Sequence, residues 1–530
     1  MTAEALLHEL ADPACFPDAA AHTGEVQLIQ THLSVVCIVG ELVYKLKKAV
    51  KLPFVDFSTL AARRQACREE VRLNRRLCHD VYLGTAELRR TPAGLRFGPT
   101  DQSLDGELLD HAVVMRCLPQ HRMLDELLAA GQVDAAQLTG LAQRIARFHD
   151  QAERGHRVRE LGDPQRLAGF AADNFTELAA VPGQPVPDAL LTRLADRSAA
   201  EFQRRMPTLQ RRAAGGRVVD GHGDLHARNV CMTTPPTVYD CIEFEPAFRC
   251  GDVATEIAFL AMDLRYRSAP QLARAFVDAY VQASGDTQLP ELMPLLCSYR
   301  AMVRAKVAAM AAAEAELSEP DRDAARRSCR KHARLAAALL LEQHRPHWLV
   351  VCGPPASGKS ALCRALGEQL QWPALATDVL RKQLAGLAPD QPAGAAHYTP
   401  EFSRRTYSAL FEHAARRTDA GADMVLLDGN FPTPAHRAEA RAAAKQAGAA
   451  ISFVFVRIDA TTARERAAAR ASAGGDASDA DAAITVDLHA RFVAPRATTD
   501  DVDQAPLCQL DGARASEELL DELLAWLLLG

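Results

Sequence analysis

VVCGPPASGKSALCRAL, residues 350 to 366, joins an apolar run to a glycine-bounded loop and then to an apolar-periodic helix. Gly353, Gly358, Lys359 and Ser360 complete the G-x-x-x-x-G-K-[ST] spacing, in the strand–loop–helix setting that gives this spacing its meaning. In such a loop the N–H groups of Gly353, Ser357, Gly358 and Lys359, with the helix N-terminus, face polyphosphate oxygens. Lys359 adds a point charge near the β/γ-phosphates, and Ser360 offers its hydroxyl to Mg²⁺. The motif begins only after residue 345 of 530, so other machinery must occupy the first two thirds.

A chain of this length exceeds one hydrophobic core, and two or three domains are expected. Charged residues make up 24% and the net charge is −6, so the basic excess of a dedicated nucleic-acid binder is absent. The thirteen cysteines are scattered without a C-x-x-C pair, which argues against a zinc ribbon or redox motif and fits a reducing compartment. MTAEALLHELAD at the start lacks the apolar core of a signal peptide. The longest apolar runs, such as LAAALLL at 335–341, are too short to span a bilayer. A cytoplasmic protein acting on small molecules, with neither membrane nor nucleic acid as partner, is the expectation.

Along the chain, THLSVVCIV and LVYKLK joined at Gly40-Glu41 read as a hairpin, and LAARRQACREEVRLNRRL (60–77) as a helix. Strand signals return near 86–97 and 111–117, and a mainly helical region follows to about 215. The C-terminal part alternates strand and helix, with MVLLDGN (424–430) and ISFVFVRID (451–459) as buried strands, which implies a parallel sheet with crossover helices. The boundary is placed at 343–346: one domain over 1–342, with lobes at about 25–117 and 118–342, and another over 347–530.

His222-Gly-Asp224-Leu-His226-Ala-Arg-Asn229 sets an Asp five residues before an Asn, and Asp240 follows in TVYDCIEF. Phosphoryl transfer calls for such a set. Asp224 would take the proton of the acceptor hydroxyl, while Asn229 and Asp240 hold Mg²⁺. Upstream, Lys45 lies on the hairpin, with Lys47 on the same strand face. Its partner on the next helix is Glu69 or Glu70, with Glu70 assigned; such a pair anchors ATP phosphates. With the DVATEIAFL helix, these segments make residues 25–315 resemble the aminoglycoside phosphotransferase family. The resemblance implies a bilobal protein-kinase-like fold, ATP and Mg²⁺, and Asp252 as a brace for the loop. The chain departs from kinase pattern in having no G-x-G-x-x-G in the first hairpin.

In the C-terminal part, ALATDVLRKQLAGL puts Asp378 just past an apolar stretch, suited to receive an acceptor-hydroxyl proton, with Arg381 able to hold an anionic substrate. Asp428 ends MVLLD as a carboxylate for Mg²⁺. Arg464, Arg466 and Arg470 precede a Gly-Asp-Ser-rich stretch like a lid, and Arg470 is favoured as the catalytic arginine over the phosphates. Residues 348–510 resemble the compact P-loop kinases of small molecules, including gluconate-kinase-like and zeta-toxin-like proteins. The order of both halves resembles a bacterial family joining an aminoglycoside-phosphotransferase-like domain to a P-loop ATP-binding domain. Two ATP- and Mg²⁺-dependent kinase domains acting on small-molecule hydroxyls are therefore expected. The alternatives are one catalytic domain with a nucleotide-binding regulatory partner, or a polynucleotide 5′-kinase activity in the P-loop half.

Overall fold

The computed structural model describes residues 3–17, 25–52, 55–100, 105–314, 317–342, 346–388, 391, 393–473, 488–495 and 505–529. The chain divides into two compact units. One comprises Met1–Phe170 with Gln203–Arg300; the other comprises Ala171–Phe202 with Ala301–Gly530. The helical segments 171–202 and 301–342 are thus grouped with the phosphate-loop half. No helix among the described residues is long and apolar enough to cross a membrane.

The first unit begins with an antiparallel sheet. Its strands are β1 (Gln27–Gln30), β2 (Ser34–Val39), β3 (Leu42–Lys47), β4 (Tyr82–Thr91), β5 (Gly94–Pro99) and β6 (Glu107–Arg116), in spatial order β1-β2-β3-β6-β4-β5. The expected hairpin is β2–β3, turning at Gly40 (φ 57°), where a left-handed backbone favours glycine. The strand signals near 86–97 fall on two strands, β4 and β5, joined by the turn just before Gly94. Alternation divides β3: Tyr44 and Leu46 join a core with Phe16, Leu88 and Phe97, while Lys45 and Lys47 face the other way. Helix α1 (Leu60–Asn74) packs on β4 and β6, and Thr59 caps it by accepting from the Ala62 N–H at 3.2 Å.

The rest of this unit is mainly helical. Helix α2 (Ala135–Gln151) starts at an Asp134–Gln137 capping box. Short strands β7 (Val218–Asp220) and β8 (Cys250–Asp252) pair antiparallel on either side of the HGDLHARN segment. Helix α3 (Val253–Tyr266) is buried from Val253 to Leu264, and α4 (Pro270–Ser284) packs along α2. An all-round buried helix makes a rigid base for whatever it holds.

The second unit contains helix α5 (Glu319–Leu341) and a five-stranded parallel sheet. The strands are β9 (His347–Cys352), β10 (Ala374–Ala376), β11 (Met424–Asp428), β12 (Ala450–Arg457) and β13 (Leu507–Asp511), in the order β10-β11-β9-β12-β13. Its crossover helices are α6 (Lys359–Leu370), α7 (Thr377–Ala385), α8 (Pro400–Asp419), α9 (Pro434–Gln446) and α10 (Ala460–Ala473). Helix α11 (Ser516–Leu527) follows β13. Strand β9 reads HWLVVC and is buried from Trp348 onward, as expected of a central parallel strand covered on both faces. Trp348 satisfies its indole N–H by donating to Thr418 Oγ1 at 2.9 Å.

Candidate active sites

In the first unit, β3 and α1 bring two lysines onto one buried carboxylate. Lys45 Nζ donates to Glu70 Oε1 at 2.9 Å and to Asp240 Oδ1 at 2.6 Å. Lys47 donates to the other oxygen of Glu70 and to Glu243. Burial alone would raise the Glu70 pKa, but the two ammonium groups hold it down at about 2. The same acids keep Lys45 and Lys47 charged, with pKa values above the ordinary lysine value despite their burial. Glu69, the other candidate, turns outward to Arg72. Lys47 and Glu243 are a buried pair that residue spacing did not reveal.

The HGDLHARN segment hangs from helix α3 by two carboxylates, Asp263 Oδ2 accepting from the Ala227 N–H at 2.8 Å and Glu256 holding the other end. Glu256 Oε2 accepts from the N–H groups of His222 (2.6 Å) and Gly223 (3.1 Å), and its Oε1 meets His149 Nε2 at 2.9 Å. Asp252, expected to brace this loop, instead caps α3 and pairs with Arg212, so the bracing falls to Glu256 and Asp263, further along the helix. Gly223 has φ 85°, and a Cβ there would lie 3.0 Å from the Arg249 backbone, so the turn needs glycine. His222 Nε2 donates to Tyr239 O at 3.0 Å while its Nδ1 accepts from the Asp224 N–H at 3.3 Å. Burial lowers its pKa, which keeps it in that neutral tautomer.

The acidic and amide groups then converge. Asn229 Nδ2 donates to Asp224 O at 2.9 Å and Oδ2 at 3.0 Å. His226 Nε2 lies 3.4 Å from the same Oδ2. Asp240 sits at φ 63° just beyond the short strand Thr237–Val238, with its N–H donated to Tyr82 Oη at 3.3 Å. Asn74 Oδ1 receives the Cys241 N–H at 2.9 Å, and Arg76 donates to Gly221 O at 2.6 Å. The end of α1 therefore ties both loops together. Lys45, Glu70 and Asp240 are in direct contact, and Asp224 and Asn229 are in direct contact.

In the second unit the phosphate loop leaves β9 and enters α6 at Gly358 (φ 96°), the N-cap. A Cβ on Gly353 would lie 2.5 Å from Val456 O, so the loop can pass β12 only with glycine there. Lys359 opens the helix, Ser360 is exposed, and Ser357 is buried with no hydrogen-bond partner for its Oγ. The parallel register places Val351 beside Asp428 and Asp428 beside Ala376, so both acids stand at the carboxyl ends of adjacent strands. This is where ligands sit in open α/β sheets. Asp428 is buried, its Oδ1 has no partner, and burial raises its pKa even with Lys359 and the Ser360 hydroxyl close by. Asp378 lies in the first turn of α7.

Arg381, one turn on, is buried; it donates to His397 O at 2.6 Å and stacks 4.5 Å over Tyr398. Its Nε has no partner, and among the described residues no carboxylate pairs with it. Arg464 is exposed. Arg466 donates to Gly512 O (2.6 Å) and Ala513 O (3.2 Å), fastening α10 to the turn after β13. The Arg470 side chain and residues 474–481 of the expected lid lie outside the described residues. Gly512 escaped the sequence reading: a Cβ there would come 2.1 Å from Ser357 O, so this turn presses on the phosphate loop itself.

Two family models match the chain, one in each half. The family model described as "Phosphotransferase enzyme family" matches residues 57–295, and that described as "AAA domain" matches residues 349–495. Lys45 lies outside the first match. Among solved structures, a gluconokinase from Sinorhizobium meliloti is 21% identical, covering 35% of this chain and 93% of that one, with a TM-score of 0.26. A choline kinase from Cryptosporidium parvum is 10% identical, covering 64% of this chain and 97% of that one, with a TM-score of 0.40. Uncharacterized proteins of Mycobacterium tuberculosis and Mycobacterium bovis are each 31% identical over 88% of this chain and 90% of their own length. The chain belongs to the same family as these mycobacterial proteins, and it joins a phosphotransferase-family domain to a P-loop kinase-type domain.

Proposed function

We propose that this protein is an ATP- and Mg²⁺-dependent phosphotransferase with two separate sites, each moving the γ-phosphoryl group of ATP to a hydroxyl of a small molecule. The observation that carries the reading is the joining of Lys45, Glu70 and Asp240 beside the Asp224–Asn229 pair. In the first unit Lys45, kept cationic by Glu70, would bind phosphate oxygens. Asp224, oriented by Asn229 and by the braced loop, would take the proton as the acceptor oxygen bonds to phosphorus and ADP departs with the bridging oxygen's electron pair.

The donor sets fit Mg²⁺, a hard cation that takes one or two protein oxygens and completes its shell with phosphates and water. Asp240, partly exposed at a left-handed turn, and Asn229 would hold it in the first unit. Asp428, with its unpartnered buried oxygen, and Ser360 would hold it in the second. When bound, the ion neutralises charge on the transferring group. The Gly353–Ser360 loop would cradle the phosphates, and Asp378 would receive the acceptor proton. Arg381 supports an anionic acceptor there, since a buried guanidinium without a carboxylate favours a negative ligand.

The test is phosphate transfer from labelled ATP to a panel of hydroxyl metabolites by wild type, Asp224→Asn and Lys359→Ala. Each substitution should remove one set of products, with rates lower by about 10² or more, and leave the other set intact. ATP turnover that depends on neither residue would sink the proposal. Phosphorylated oligonucleotide ends lost only with Lys359 would transfer the second site to polynucleotide chemistry.

A further inference from the structure

The first unit contains a cleft of about 650 Å³ away from the residues assigned to catalysis, between the ends of α2 and α4 and the turn at 215–217. That volume suits a small metabolite. Three arginines line it, against one acid, Asp150. Arg147 is exposed, with no ion-pair partner among the described residues. Arg217 reaches only a 3.8 Å contact with Asp286, a carboxylate already bound twice by Arg212.

Arg154 is held rigidly by carbonyls: Gly216 O (3.0 Å), Asp150 O (2.8 Å), Ala152 O (3.0 Å) and His149 O (2.6 Å). None of these four acceptors carries charge, so Arg154 keeps one N–H for the cleft and a fixed positive charge that no carboxylate pairs with among the described residues. A set of arginines with surplus charge and spare N–H groups recognises phosphate oxygens better than any neutral ligand.

His149 and Tyr280 also line the cleft, and they connect it with the catalytic loop. The His149 ring meets Tyr280 Oη at 2.8 Å through Nδ1 and Glu256 Oε1 at 2.9 Å through Nε2. The other oxygen of Glu256 holds the His222 and Gly223 N–H groups. A ligand that moves Tyr280 or His149 therefore acts on a carboxylate that sets the position of Asp224.

We infer that this cleft binds a phosphate-bearing small molecule through Arg147, Arg154 and Arg217, and that the His149–Glu256 link passes its occupancy to the loop carrying Asp224. The second clause rests on the proposed role of that loop; the first does not.

Hydrogen exchange of the full chain with inorganic pyrophosphate tests both clauses, without using activity. Wild type should show slowed exchange over 143–154 and 213–217, over 220–229, and independently over the phosphate loop at 353–362. In Arg147→Ser/Arg217→Ser the first two effects should need about tenfold more pyrophosphate, with the phosphate-loop effect unchanged. Unaltered exchange in buried α3 will show that the unit remains folded, and Arg147→Gln alone provides a milder second variant. No slowing over 143–154 and 213–217 at concentrations that protect the phosphate loop would overturn the site, as would slowing indifferent to the arginines. With Lys45→Ala added to remove phosphate binding at the first site itself, slowing over 220–229 that persists in the double variant would overturn the coupling.

Discussion

Glu256 holds the His222–Gly223 end of the loop at the first site. Its carboxylate satisfies two backbone donors and a histidine, all buried. Those partners hold its pKa at about 2, against the ordinary 4.5, although burial pushes the other way. A depressed carboxylate pKa stabilises the fold above the unfolded-state value and loses that contribution as pH falls through the folded value. Stability should therefore decline between about pH 4.5 and 2, and Glu70, also held at about 2, acts in the same window. Urea titrations across pH 2–7 should show Glu256→Gln with a shallower loss than wild type. Glu256→Ala at pH 7, leaving three donors without an acceptor, should cost about 2–4 kcal/mol. A wild-type slope matched by Glu256→Gln would contradict the assignment. Sequence alone could not find this residue, since a glutamate in a mostly apolar helix shows no partner until the loop is folded over it. The proposed set of Lys45, Asp224, Asn229 and Asp240 could be named from spacing alone, and the structure brings Lys45 to Asp240 and Asn229 to Asp224.

At the scale of elements, the phosphate loop depends on turns distant in sequence. Gly512 follows β13 and comes so near Ser357 that no side chain fits between them. Gly512→Ala must displace either the turn or the loop, because the obstructing atoms are backbone. Nucleotide affinity at the second site should fall at least about tenfold. Asp224-dependent transfer should be unchanged. Fluorescent-nucleotide titration of wild type, Gly512→Ala and Lys359→Ala measures it, and wild-type affinity in Gly512→Ala would refute the steric argument. The parallel sheet itself was readable from the alternation of apolar runs and helices. The approach of β13's turn to the loop was not, because it depends on strand order: β13 lies beside β12, two strands from β9.

At the scale of the molecule, helix α5 shows how cores are divided. Of its arginines, Arg334 is buried, donating to both oxygens of Asp521 (2.6 and 3.0 Å) and to Glu517 on α11. Arg334→Ala leaves Asp521 buried without a cation and should cost the second unit about 3–5 kcal/mol. Calorimetry should then show one transition moving down while the other stays, as separate cores imply. A common shift of all transitions would mean that the two units do not unfold separately.

The sequence by itself determined the two kinds of domain, their order, and the candidate side chains proposed for each site, because these are written in local spacing and in strand–loop–helix context. Only tertiary structure decided which core each helix joins, which carboxylates brace the Asp224 loop, and which glycine guards the phosphate loop. Those outcomes turn on burial and close approach between segments far apart in the chain, and neither periodicity nor residue type encodes a distance.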